Sequence, residues 1–258
     1  MLLKSNLNSS ISLNEVNGPI INWAIILVLS RCILLIVVQG ILAVYFHSIG
    51  HPSPWKNAAE WWTVYGTVVD LSCLLLLVYV LKKEGKEISS LFDFDRKRII
   101  KDVKLGILIF VLIFPVIGLL YSMGIGYLLF NESTLHSING QLAERTLPNW
   151  AFYYSIFIWW VIWSTTEEIT YQAYSLPRLL IKYGQVKVLL FIGFFWALQH
   201  SFLPLIFDWR YFFWRLLSFF PLVIGLMIAY IKTGRITPVI IAHALMDITA
   251  SYWTFKHF

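Results

Sequence analysis

Charge is what this sequence has least of. Asp, Glu, Lys and Arg make up 13% of its 258 residues, about half the share of an ordinary soluble domain. A disordered chain needs high charge and few apolar residues, so that class is excluded. A soluble globule is excluded too, because there is too little polar surface to cover its outside. Cysteine is almost missing. The two present, Cys32 and Cys73, lie inside apolar runs, make no disulfide framework and read as inert filler. There is no internal repeat, no low-complexity segment and no aromatic-interleaved basic stripe for nucleic acid to use. Apolar residues are what is plentiful: 59% of the chain, with a mean hydropathy of +0.72. A membrane-crossing helix takes about 20 apolar residues. The fold class is therefore an all-α membrane protein, one polytopic domain over 1–258, with about seven transmembrane helices and length for about eight.

The spans are expected at 19–46, 61–81, 104–130, 149 to about 176, 188–207, 211–231 and 238–255. The polar stretch up to Gly18 and the long run after it do not read as a signal peptide. Lys and Arg set the orientation. Loops 82–104, 177–187 and 232–237, with Lys4, hold fourteen of the twenty, and the other side holds five. This places the N-terminus in the cytoplasm and the C-terminus outside. Loop 82–104 is strongly basic. Asp95 is expected to cap a helix over 96–104 that runs into the third span, with an interfacial character from Leu91, Phe92, Ile99, Ile100 and Val103. The net charge of +6 fits cytoplasmic loops facing anionic lipid rather than a nucleic-acid partner.

Ionisable residues inside spans cost a few kcal/mol each and need a reason. Arg31 and Asp70, in the first and second spans, read as a structural pair. Glu167 and Glu168 lie in the fourth span, His200 in the fifth, and His243 and Asp247 in the seventh. His243 and Asp247 are one turn apart and share a face, as do Glu168 and Gln172, Glu167 and Tyr171, and Trp196 and His200. Buried polar groups need partners, so spans four, five and seven are expected to share one polar pocket. Carboxylates and histidines together are what water activation needs: a base, an orienting donor and groups to stabilise an oxyanion. Glu, His, His and Asp are also able to ligate zinc.

Three ordered segments resemble the CAAX-endopeptidase and bacteriocin-processing (Abi) family of intramembrane proteases. Its EExxxR motif is matched by Glu167-Glu168-Ile169-Thr170-Tyr171-Gln172. Its FxxxH motif is matched by Trp196-Ala197-Leu198-Gln199-His200, and its HxxxN or HxxxD motif by His243-Ala244-Leu245-Met246-Asp247. The resemblance covers about residues 150–250, a protease-like core. It implies a metal-independent glutamic endopeptidase with no cofactor, zinc being the minor alternative. Glu167 would be the base, His200 would hold the water with it, and His243 and Asp247 would stabilise the oxyanion. Glu168, Gln172 and Trp196 would support them. The implied partners are the bilayer and a membrane-associated peptide or protein, through CAAX-type cleavage or the processing and self-immunity of bacteriocins and leader peptides. With no eukaryotic targeting signal, the expected location is a bacterial plasma membrane. Two positions depart from the motifs: Gln172 replaces the Arg, losing a bidentate cation, and Trp196 replaces the Phe. Asp247 stands within the tolerated set, but an ionised Asp cannot donate as Asn does. The alternative is an inactive member acting as a membrane interaction or regulatory protein.

Overall fold

The computed structural model describes residues 18–130 and 147–255, and side chains as far as Tyr252. Among these, every regular element is helical. The chain runs through α1 (Gly18–Ser48), a short α2 (Pro54–Glu60), α3 (Trp62–Lys83) and a 3-10 turn (Ile88–Leu91). Next come α4 (Ile99–Ile113), a π-helical stretch (Phe114–Tyr121) and α5 (Ser122–Phe130). The second half holds α6 (Asn149–Phe157), α7 (Trp159–Glu167), a second π-helical stretch (Glu168–Ser175) and α8 (Leu176–Tyr183). Three longer helices complete it: α9 (Gln185–Ser201), α10 (Trp209–Thr233) and α11 (Ile236–Phe255). Lipid gives backbone polar groups no partner, so intrahelical bonds are the economical solution for so apolar a chain.

Among the described residues four helical runs are long and apolar enough to cross a membrane: Gly18–Ser48, Trp62–Lys83, Ile99–Phe130 (α4, the π stretch and α5 together) and Trp209–Thr233. Ile236–Tyr252 is a shorter apolar helix. The fourth and fifth expected spans are built differently. The fourth breaks at Ile158, where φ is −120°, then changes to π geometry at Glu168 and stays helical to Tyr183. Hydropathy reads that stretch as one rod because the break carries no polar residue.

The fifth expected span, 188–207, stops as a helix at Ser201. The next residues leave helical geometry while still buried, so their backbone needs side-chain partners. Gln39 of α1 supplies them. Its Nε2 donates to Leu205 O at 3.0 Å and its Oε1 accepts from Leu205 N at 2.8 Å. Trp55 Nε1 adds a bond to Leu205 O at 2.8 Å. Arg215 of α10 donates from Nε to His200 O at 3.1 Å and from Nη2 to Leu203 O at 3.4 Å, closing the open end of α9. Asp208 then caps α10, accepting from Arg210 N at 2.9 Å. The hydrogen bonds from the Arg210 side chain hold that carboxyl below the usual carboxylate range.

Loop 82–104 folds onto the bundle. Asp95 Oδ1 accepts from Lys97 N at 2.9 Å, capping a turn, and the helix begins at Ile99 rather than at 96. Ile88 and Leu91 pack against the main core. The same loop also caps α11. The two Asp93 carboxylate oxygens accept from Ile236 N at 3.1 Å and Thr237 N at 3.0 Å, orphan donors at a helix start. Arg235 is not a free loop cation. It donates to both oxygens of the buried Asp102, at 2.9 and 2.5 Å. Arg178, also read as a loop charge, is buried and donates to Glu84 at 2.6 Å.

Packing brings α9 along α10, α11 along α4, and α7 against both α3 and α11. α1 lies against α3, α9 and the second π stretch. A Cβ on Gly106 of α4 would come within 2.8 Å of Pro238 O and Ile241 Cβ of α11, so a glycine is what this approach requires. Gly66 of α3 likewise leaves room for the Trp163 ring of α7.

Candidate active site

The polar residues inside the spans converge where α1, α3, α7, α9 and α11 meet. Glu167 ends α7 and Glu168 opens the π stretch, all eight of whose residues are buried. π geometry widens the helix by one residue per hydrogen bond and is frequent at functional sites. α7 itself is fixed on two sides. Trp163 Nε1 donates to Thr67 Oγ1 at 3.1 Å, and Trp159 Nε1 donates to Ser251 Oγ at 2.9 Å.

Glu167 is held at both oxygens. Oε1 accepts from Arg31 Nη2 at 2.9 Å, and Oε2 accepts from the indole N–H of Trp196. Guanidinium and indole can only donate, and a carboxylate has about four lone-pair sites, so acceptor capacity remains. Arg31 reaches Asp70 with its other nitrogen. The expected Arg31–Asp70 pair is therefore present, but it is two sides of a triad that ends on Glu167. Sequence reasoning left Arg31 outside the site. Its cost as a charge in a span was the available signal; its partner 136 positions away was not readable.

Trp196 forms one wall. It stacks on Tyr171 with ring centroids 4.8 Å apart and lies tilted against His243 at 6.0 Å. Tyr171 OH donates to Gln199 Oε1 at 2.5 Å. His200 occupies the last turn of α9, its ring stacked on Phe219 at 3.8 Å. His200 Nδ1 lies 2.8 Å from Trp196 O. A carbonyl only accepts, so Nδ1 carries a proton and Nε2 is left for other work. Trp196 thus joins Glu167, His200 and His243, bonding the first through its indole N–H, the second through its carbonyl and facing the third with its ring.

His243 Nδ1 is 2.9 Å from Glu168 Oε1, while its Nε2 is 3.7 Å from Asp247 Oδ2, beyond hydrogen-bond reach. The primary partner of His243 is thus Glu168 rather than the aspartate on its own helix. Gln172 Nε2 donates to the other oxygen of Glu168. Glu167 and Glu168 are closed off, whereas His200, His243 and the Asp247 side chain keep 8%, 7% and 17% exposure. The accessible side of the cluster is the histidine side. Among the described residues no three His, Cys, Asp or Glu are placed to hold a metal ion together.

Chemically, the arrangement offers a fixed carboxylate, a neutral-capable imidazole beside it and a second imidazole held by another carboxylate. That set is able to activate water and to meet a developing oxyanion. Residues 149–249 match the family model described as Rce1-like, type II CAAX prenyl endopeptidase. The matched segment contains all three motifs, and the family is the one they resemble. No curated protein and no solved structure matches the chain significantly.

Proposed function

We propose, from the Rce1-like match as premise, that the chain is an intramembrane endopeptidase that cleaves membrane-associated peptides through Glu-activated water. The observation that carries this is that Trp196 touches all three groups: its indole N–H bonds Glu167, its carbonyl accepts from His200 Nδ1 at 2.8 Å, and its ring lies 6.0 Å from that of His243. In this reading a water donates one hydrogen to Glu167 and the other to His200 Nε2. Its oxygen lone pair then points at the scissile carbonyl carbon. Glu167 takes the proton as the C–O bond forms. His243, oriented by Glu168, donates from Nε2 to the oxyanion, with Asp247 supporting the charged ring. The carbonyl re-forms, the C–N bond breaks, and Glu167 returns its proton to the leaving amine. Water is consumed, and the enzyme is unchanged. The supporting roles of Glu168, Gln172 and Trp196 are orientation of these groups. No metal takes part in this scheme.

The test is cleavage of a prenylated peptide ending in a CAAX sequence by the purified protein in lipid nanodiscs, read by mass spectrometry. Glu167→Gln keeps size but cannot take the proton, so the rate should fall by about 10²–10⁴-fold. Abundance should be unchanged, since an amide costs less in a span than a carboxylate. Equal cleavage by both proteins would remove Glu167 as the base, and no cleavage by wild type on prenylated and leader-type peptides alike would leave the inactive-scaffold reading, which the loss of the motif Arg at Gln172 favours.

A further inference from the structure

Arg31 does more than a structural pair requires. It is fully buried in the middle of α1, and Asp70 on α3 already matches its charge. A one-to-one pair would already leave no charge uncompensated. Instead the fork is split. One terminal nitrogen goes to Asp70 and the other to Glu167 Oε1, while Nε has no hydrogen-bond partner among the described residues. The guanidinium is therefore aimed by two carboxylates on two helices. With Trp196 on Oε2, Glu167 is held at two points and its carboxylate plane cannot rotate. Gln172 carries no charge and is engaged on Glu168, so it does nothing for Glu167.

We propose that Arg31 is a positioning residue for Glu167, with Asp70 as its anchor, and that it supplies from the first helix the cationic support that the EExxxR pattern carries at residue 172. The inference rests on the protease reading above. It places part of this chain's hydrolytic machinery outside residues 149–249, the segment that matches the family model. It also assigns a function to α1 and α3 that hydropathy alone reads as plain spans.

The experiment measures kcat and KM on the prenylated CAAX peptide in nanodiscs for Arg31→Gln, Arg31→Lys, Arg31→Gln/Asp70→Asn and Arg31→Gln/Glu167→Gln. Misplacing a reacting group by about 1 Å costs about 10²-fold. Arg31→Gln should lower kcat by about 10–100-fold with KM little changed. Arg31→Lys keeps the charge without the fork and should fall between. The Arg31→Gln/Asp70→Asn variant removes both members of the pair, leaves no orphan carboxylate at Asp70, and should fold even if Arg31→Gln does not. Its kcat should stay low. A purely structural role predicts the opposite: low yield for Arg31→Gln but wild-type kcat for the molecules that fold, and full recovery in this double variant. Adding Arg31→Gln to Glu167→Gln should change nothing further, because Arg31 acts through Glu167; a second multiplicative loss would overturn the proposal. If wild type and Glu167→Gln cleave alike, the Glu-activated-water reading itself falls. If those two differ as expected and the Arg31 variants keep wild-type kcat, only the present inference falls.

Discussion

Glu168 and His243 are joined Oε1 to Nδ1 at 2.9 Å across 75 positions of sequence. The carboxylate that holds this ring thus comes from the π stretch, and Asp247, one turn along α11, stands farther off at 3.7 Å. Replacing Glu168 should therefore misdirect the imidazole without removing the base. Glu168→Gln keeps one acceptor and should reduce cleavage by about 10-fold, whereas Glu168→Leu, which keeps none, should approach about 10²-fold. Kinetics on the prenylated peptide, beside Glu167→Gln, give the order of the three.

Gly106 marks the closest approach of α4 to the helix that carries His243. In Gly106→Ala the new methyl would press on Pro238 O and the Ile241 side chain, both at 2.8 Å. A carbonyl oxygen cannot yield as a side-chain tip does, so α11 has to move. Overpacking of this kind costs about 1–3 kcal/mol. Thermal unfolding in detergent should show that loss, and cleavage should fall with it, since His243 lies two residues beyond Ile241.

Chelators give a direct check on the metal-free scheme. With Glu168 engaged on His243 and Gln172, and Glu167 on Arg31 and Trp196, the carboxylates are occupied by protein donors. Activity in excess EDTA or phenanthroline is expected to match the untreated enzyme. Inactivation that zinc reverses would replace the scheme with a metal-bound water.

The orientation expected from Lys and Arg is testable by labelling. Cys32 and Cys73 are both buried and free, so the native background is quiet. Cysteines placed at the exposed positions Lys97, Lys182 and Lys232 should react with an impermeant maleimide only after the cells are opened, while Lys56→Cys should react in intact cells. The reverse pattern would invert the protein in the bilayer.

Much of the molecule can be read from residue type alone, because burial in lipid penalises every charge and so makes each one conspicuous. Glu167, Glu168, His200 and His243 stand out for that reason, and the structure does gather them. What escapes is pairing at long range. Arg31 reaching Glu167, Arg178 reaching Glu84 and Asp93 capping α11 each depend on how helices far apart in sequence are stacked. Local geometry escapes for a different reason. Ile158 is as apolar as its neighbours, so nothing in hydropathy marks the break there. The end of α9 at Ser201 depends on Gln39 and Arg215, remote side chains that take over the backbone bonds. Without those two, an apolar run to 207 is indistinguishable from helix.

The burial of every residue from Glu168 to Ser175 sets this stretch apart from its surroundings. The Ile99–Phe130 helix is only 17% buried over its most apolar window, so it meets acyl chains along most of its length. Bilayer thickness and lipid order therefore act on that outer helix directly, at a fraction of a kcal/mol for each ångström of mismatch. The glutamate pair feels none of this at first hand. Its surroundings are protein on all sides, and the same side chains meet it in thick and thin membranes alike. What a change of lipid can alter is the tilt of the periphery, and such a change would reach the reacting groups at second hand, through Gly106 and α11 or through α10, whose Trp214 bonds Ser122 O and whose Phe219 stacks on His200.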